Sequence, residues 1–134
     1  MVVELGGAEI CRTDACWQVL ETSHPPTYYL PRSAFAPGAL RAAGGTSFCE
    51  WKGQAAYLDV VSRSVVAAQG GWYYPSPTPA FAELVDHVAV YAAAMDACTV
   101  GGEPVVPQPG GFYGGWVTSD LTGPFKGGPG SVGW

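Results

Sequence analysis

The sequence predicts a mostly β fold: one compact antiparallel domain with one or two short helices and an irregular tail rich in glycine, proline and aromatic residues. Three observations predict it. The 134 residues include 19 glycines and 12 prolines, which favours many turns and few long helices. Short runs of valine, threonine and aromatic residues recur between these breakers. Two-residue pairs, Gly6-Gly7, Lys52-Gly53 and Gly101-Gly102, separate such runs in the manner of hairpin turns.

Taken in order, VVEL (2–5) and EICRT (9–13) flank Gly6-Gly7 as the two arms of a hairpin. Residues 17–21 are a third strand. His24 precedes Pro25, so its backbone is pushed towards extended conformations, and TYYL (27–30) continues as strand. A short helix is expected around 38–43. Residues 46–51 and 54–61 are strands joined through Lys52-Gly53; in the second, Ala56, Leu58 and Val60 share one face and Tyr57 and Asp59 the other. Residues 65–68 pair back onto it, and Gly70-Gly71 leads into WYY (72–74). Pro75, Pro77 and Pro79 mark an extended connection. A helical turn is expected over 80–86, then a strand through VAVY (88–91). Residues 95–100 and 103–106 form a closing hairpin around Gly101-Gly102.

The domain is expected to span 1–106, with a tail at 107–134. From 106 to 134 the chain holds Phe112, Tyr113, Trp116, Phe125 and Trp134 among its glycines. A flexible linker would not carry so many large apolar groups. The tail is therefore expected to wrap over the domain or over a partner subunit, the second arrangement giving a homodimer.

Hydrophobic residues make up 48% and charged residues 13%, with a net charge of −5. That is globular composition, and without a basic run it argues against a nucleic-acid partner. No window approaches a membrane span, and the N-terminus lacks the pattern of a signal peptide. The cytoplasm is the expected compartment, with Cys11, Cys16, Cys49 and Cys98 reduced. No CxxC pair is present to seed a zinc site, and no metal or cofactor is expected.

Chemistry concentrates in two places. ETSHPPTYYLP (21–31) sets Glu21 and His24 beside a stiff diproline, and pre-organised polar groups on rigid chain suit a site. SFCEWKG (47–53) sets Cys49 between Glu50 and Lys52, where a nearby cation lowers a thiol pKa. Cys49 as nucleophile, with His24 as base, Glu21 as its orienting carboxylate and Lys52 beside the thiol, is one reading; His24 with Glu21 as an acid–base pair is another. An inert, buried Cys49 is the plainer alternative. The aromatic set Tyr28, Tyr29, Trp51, Tyr57, Trp72, Tyr73 and Tyr74 suggests a pocket of inward rings, because neighbours on a strand face opposite sides. One ring of each neighbouring pair is then core and the other faces solvent or a cavity.

VLETSHPPTYYLPRS (19–33), SFCEWKGQAAYLDV (47–60) and GWYYPSPTPAF (71–81) resemble the family known as domain of unknown function 427, and the likeness extends over nearly the whole chain. The resemblance implies a β-tent-like domain, an architecture shared with methionine-R-sulfoxide reductases, the Yippee proteins and the ligand-binding domain of cereblon. Several of those bind zinc through two CxxC pairs, which this chain lacks. Others use the concave sheet face for ligands, some through an aromatic cage. By architecture alone this nominates Tyr29, Tyr57, Trp72 and Tyr74 as ligand-binding residues. The family is also labelled a nucleotidyltransferase, but the Gly-Ser and paired-aspartate signature of those enzymes is absent. A small-molecule binding module, an enzyme using the same cleft and an interaction module acting through the tail are the three functional readings.

Overall fold

The computed structural model describes residues 1–19, 27–49, 52–107 and 115–118, with Phe48 and Cys49 described by their backbone alone. The described strands run β1 (Val2–Leu5), β2 (Ala8–Arg12), β3 (Trp17–Val19), β4 (Thr27–Pro31), β5 (Leu40–Cys49), β6 (Gly53–Ser62), β7 (Val65–Tyr73), β8 (His87–Val90), β9 (Ala97–Val100), β10 (Glu103–Pro104), β11 (Val106–Pro107) and β12 (Trp116–Val117). Helical structure among the described residues is confined to 3₁₀ turns at Arg32–Ala34, Pro79–Leu84 and Ala92–Ala94. The chain is thus mostly β, in antiparallel sheets.

Two sheets dominate. One has four strands in the order β10-β9-β1-β2; the other has six, ordered β3-β4-β8-β7-β6-β5. Both hairpins of the smaller sheet turn on Gly-Gly. Gly6 and Gly7 lie at φ +62° and +76°, and Gly101 and Gly102 at +58° and +83°. Both central positions of such a turn need positive φ, which only glycine adopts at little cost. Because β1 pairs with both β2 and β9, it is internal to its sheet.

The sheets bury one shared core. Val3, Leu5, Ile10 and Cys98 of the smaller sheet meet Leu30, Leu58, Val60, Val88 and Val90 of the larger. Trp116 lies in this core, 1% exposed, with its indole Nε1 donating to the Val90 carbonyl at 3.2 Å and its ring 5.1 Å from that of Tyr28. Alternation along β4 and β8 sends Tyr29 and Ala89 to the opposite face of the larger sheet, where a second cluster forms with Ala55, Trp72, Tyr74 and Leu84.

The expected helix at 38–43 is not formed: Leu40–Cys49 is one strand. Leu40, Arg41 and Ala42 pair with Val60, Asp59 and Leu58. A helix of about one turn cannot repay its nucleation, and Gly44-Gly45 gives it no room to lengthen. Instead the register shifts between Ala42 and Thr46, with Gly45 at φ +100°. A second shift falls between Leu58 and Val60 on the β7 side. Gln69 clamps the two: its backbone N–H donates to Asp59 Oδ1 at 2.9 Å and its side-chain amide to the Gly44 carbonyl at 2.8 Å. Such bulges bend and twist the strands that carry them.

Among the described residues the other expected elements agree in kind; residues 20–21 and 50–51 of two expected strands lie outside them. The 80–86 turn is the 3₁₀ segment Pro79–Leu84, followed by β8. The closing hairpin is shorter than expected. The Val105 N–H still donates to the Cys98 carbonyl of β9 at 2.8 Å, and Val106–Pro107 then pairs with Trp116–Val117.

Candidate functional site

The second face of the six-stranded sheet brings several of the nominated residues together. Registers Tyr57↔Trp72 and Trp72↔Ala89 align three strands across it. The ring of Tyr29 lies 6.3 Å from Trp72, edge-on, and 6.2 Å from Tyr74. Trp72 continues the row to Tyr91, at 4.5 Å. Offset and edge-to-face pairs at these separations are favourable beyond their area burial.

Burial divides the row. Tyr29, Trp72 and Tyr74 are 2%, 8% and 6% exposed and form its floor, while Tyr57 and Tyr91 are half-buried. At that open end the two phenols are neighbours, and the Tyr57 hydroxyl donates to Ser47 Oγ at 3.2 Å. Burial first, and the neighbouring phenols Tyr57 and Tyr74 next, push the Tyr91 phenol up to about 12. Tyr91 is therefore neutral at physiological pH and able to donate or accept.

Phe81 and Leu84, from the 3₁₀ segment after the prolines, cover part of the face. Lys52 marks that side. Its side chain is buried, and Nζ lies 5.8 Å from the centre of the Phe81 ring, a cation–π distance. Its carbonyl accepts the Thr78 N–H at 3.0 Å, which ties the β5–β6 turn to the proline-rich connection. Gly53, at φ +111°, sits against the Ser76 carbonyl, so a side chain there would meet both strain and backbone.

Of the catalytic candidates, Glu21 and His24 lie outside the described residues, as do Glu50 and Trp51. Cys49 ends β5 opposite Gly53, with only its backbone described. Lys52, Tyr29, Tyr57, Trp72 and Tyr74 are gathered on or beside one sheet face. Within the neighbouring pairs, Tyr29 and Trp72 are buried in the second-face cluster, while Tyr28 and Tyr73 are half-buried on the other face. Tyr28 packs on Trp116, and Tyr73 carries the Arg32 guanidinium 4.6 Å above its ring.

Tyr91, Phe81 and Ser47 join the face without having been nominated. The alternation of VAVY was the available signal for Tyr91, since it sets Ala89 and Tyr91 opposite Val88 and Val90. Cys11 and Cys98 pair on either side of Val3 and are free thiols, as is Cys16. Burial raises Cys11 to about 11 and Cys98 to about 12, which makes them poor nucleophiles. Among the described residues no three His, Cys, Asp or Glu side chains gather as metal ligands, and no helix is long and apolar enough to cross a membrane.

A small antiparallel β domain with an aromatic sheet face and a buried lysine beside it defines the class of protein. The chain belongs to the family described as domain of unknown function (DUF427), which matches residues 1–101. None of the curated proteins compared with the chain matches it.

Proposed function

We propose that this protein binds a small, partly aromatic molecule on the second face of its six-stranded sheet. One observation carries the reading: the rings of Tyr29, Tyr57, Trp72, Tyr74 and Tyr91 share that face, and at its half-buried end the Tyr57 hydroxyl donates to Ser47 Oγ. Apolar walls with a few fixed polar groups are the usual make-up of a small-molecule site. In this reading Trp72 and Tyr91 offer a stacking surface, while Tyr57 and Ser47 fix the ligand's orientation. Tyr29 and Tyr74 support those rings from below. Lys52, on the Phe81 side, favours a ligand that carries negative charge.

The test is a thermal-shift screen of the full chain against a metabolite library. A true ligand stabilises the fold by about 2.7 kcal/mol at a hundred times its Kd, and by more as the logarithm of its concentration rises. Tyr57→Phe and Tyr91→Phe keep the rings and remove the hydroxyls, and each is expected to weaken binding roughly tenfold, the worth of one hydrogen bond at such a site. Ligands that bind both variants as tightly as the native chain would place the site elsewhere, and a library without any stabilising compound would argue against a binding module.

A further inference from the structure

We infer a second binding site, for a small zwitterion of the amino-acid class, in the open cleft of about 500 Å³ between Pro31-Arg32-Ser33 and Asp86-His87. It shares no residue with the aromatic face and is independent of that reading. The cleft forms where β4 ends and β8 begins. Pro31 pairs with His87, and the Arg32 N–H donates to the Asp86 carbonyl at 2.8 Å. Asp86 sits at φ +60°, a left-handed conformation uncommon outside glycine but tolerated by Asp and Asn. Backbone held in that region by its surroundings is a common mark of a functional site.

The side chains supply complementary groups. Arg32 is positioned by its stack on Tyr73 and can take a carboxylate, alongside the Ser33 hydroxyl. Asp86 offers a carboxylate on the other side of the cleft. Among the described residues neither Arg32 nor Asp86 belongs to an ion pair. His87 adds direction: its Nδ1 lies 2.8 Å from the Val85 carbonyl. A carbonyl only accepts, so Nδ1 carries the hydrogen, and in the neutral ring Nε2 is left as an acceptor. One cleft thus presents donors for an anionic group and acceptors for a cationic one. An α-amino acid meets both, its carboxylate on Arg32 and Ser33 and its ammonium on Asp86 and His87.

The experiment uses the full chain and the free L-amino acids, first as a mixture in saturation-transfer NMR, then singly by titration calorimetry. At least one is expected to bind saturably. Its N-acetyl derivative, which lacks the ammonium, and its methyl ester, which lacks the carboxylate, are each expected to bind roughly tenfold more weakly or worse. Asp86→Asn keeps a residue that accepts the left-handed backbone, so it should fold normally and lose the same tenfold; Arg32→Gln should match it. Three results would each overturn the inference: no amino acid binding below about 10 mM, blocked derivatives binding as well as the parent, or binding abolished by Tyr57→Phe and untouched by Asp86→Asn.

Discussion

Replacing Trp116 by alanine is the most informative single change, because that residue lies beyond the family match yet sits in the main core. It is 1% exposed, stacked on Tyr28, and its Nε1 donates to the Val90 carbonyl. A tryptophan buries roughly 200 Å², worth about 5 kcal/mol at 25 cal/mol per Å². Measured truncations of large aromatic residues in cores cost about 3–5 kcal/mol, which brackets the same figure. A domain of this size has a total stability on the order of 7–20 kcal/mol, so the variant should fold with a clearly lowered midpoint in urea. Trp116→Phe keeps a ring against Tyr28 but loses the hydrogen bond, and should cost about 1–2 kcal/mol. Ending the chain after Pro107 should reproduce the alanine value within about 1 kcal/mol, if Trp116 is the main anchor of the segment beyond Pro107. An alanine variant less than about 1 kcal/mol below the native chain would refute the reasoning and mean that residues 115–118 add little to the core.

Other expectations come from the turns and the buried acids. Gly6 and Gly101 share nearly the same positive φ, but a Cβ at Gly6 would lie 2.6 Å from the Ser62 carbonyl oxygen and one at Gly101 would meet nothing within 4 Å. Gly101→Ala should therefore cost only the conformational term of about 1–2 kcal/mol, and Gly6→Ala clearly more; equal losses by chemical denaturation would show that the contact relaxes freely. Cys11, Cys98 and Tyr91 are all held neutral by burial, raised from 9.0 to about 11, from 9.0 to about 12 and from 10.0 to about 12. A raised folded-state value means that the stability from these groups is fully present below about pH 9 and is lost as pH climbs towards 12. A melting temperature that stays flat from pH 9 to 11 would contradict this. Iodoacetamide at pH 8 should label the half-buried Cys16 well before Cys11 or Cys98, read by peptide mass spectrometry.

The parts of the fold legible in the sequence were those written in local chemistry. Gly6-Gly7 and Gly101-Gly102 fix two hairpins because few other pairs accept two consecutive positive φ values. Tyr57 and Asp59 could be assigned opposite Leu58 and Val60 because a strand has period two. Alternation says which residues share a face, however, and not what covers that face. Tyr28 is covered by Trp116, nearly ninety residues away in sequence, and Tyr73 by Arg32. The bulge at Gly45 was illegible for the same reason: it depends on Gln69 reaching across from β7. The Arg32–His87 cleft needs both a strand pairing and a left-handed aspartate, and neither leaves a mark in any short window of sequence. Lys52 stood out from its neighbours in SFCEWKG, yet its partner ring, Phe81, belongs to a segment whose helical and strand patterns overlap.

The placement of the first strand inside its sheet has a consequence for the order in which the molecule can assemble. During synthesis β1 and β2 emerge before the rest of the domain, and β9 appears some ninety residues later; at 5–20 residues per second that is a wait of about 5–20 s. Through that interval Val3 and Leu5 have only the β2 hairpin for company, and a lone two-stranded ribbon is marginal in water. One side of β1 stays open to pairing with any other extended chain until its own partner arrives. Such distant pairings belong to the slow end of folding rates. The six-stranded sheet, whose β5, β6 and β7 succeed one another directly, can form earlier and offer the surface on which the N-terminal hairpin finally docks.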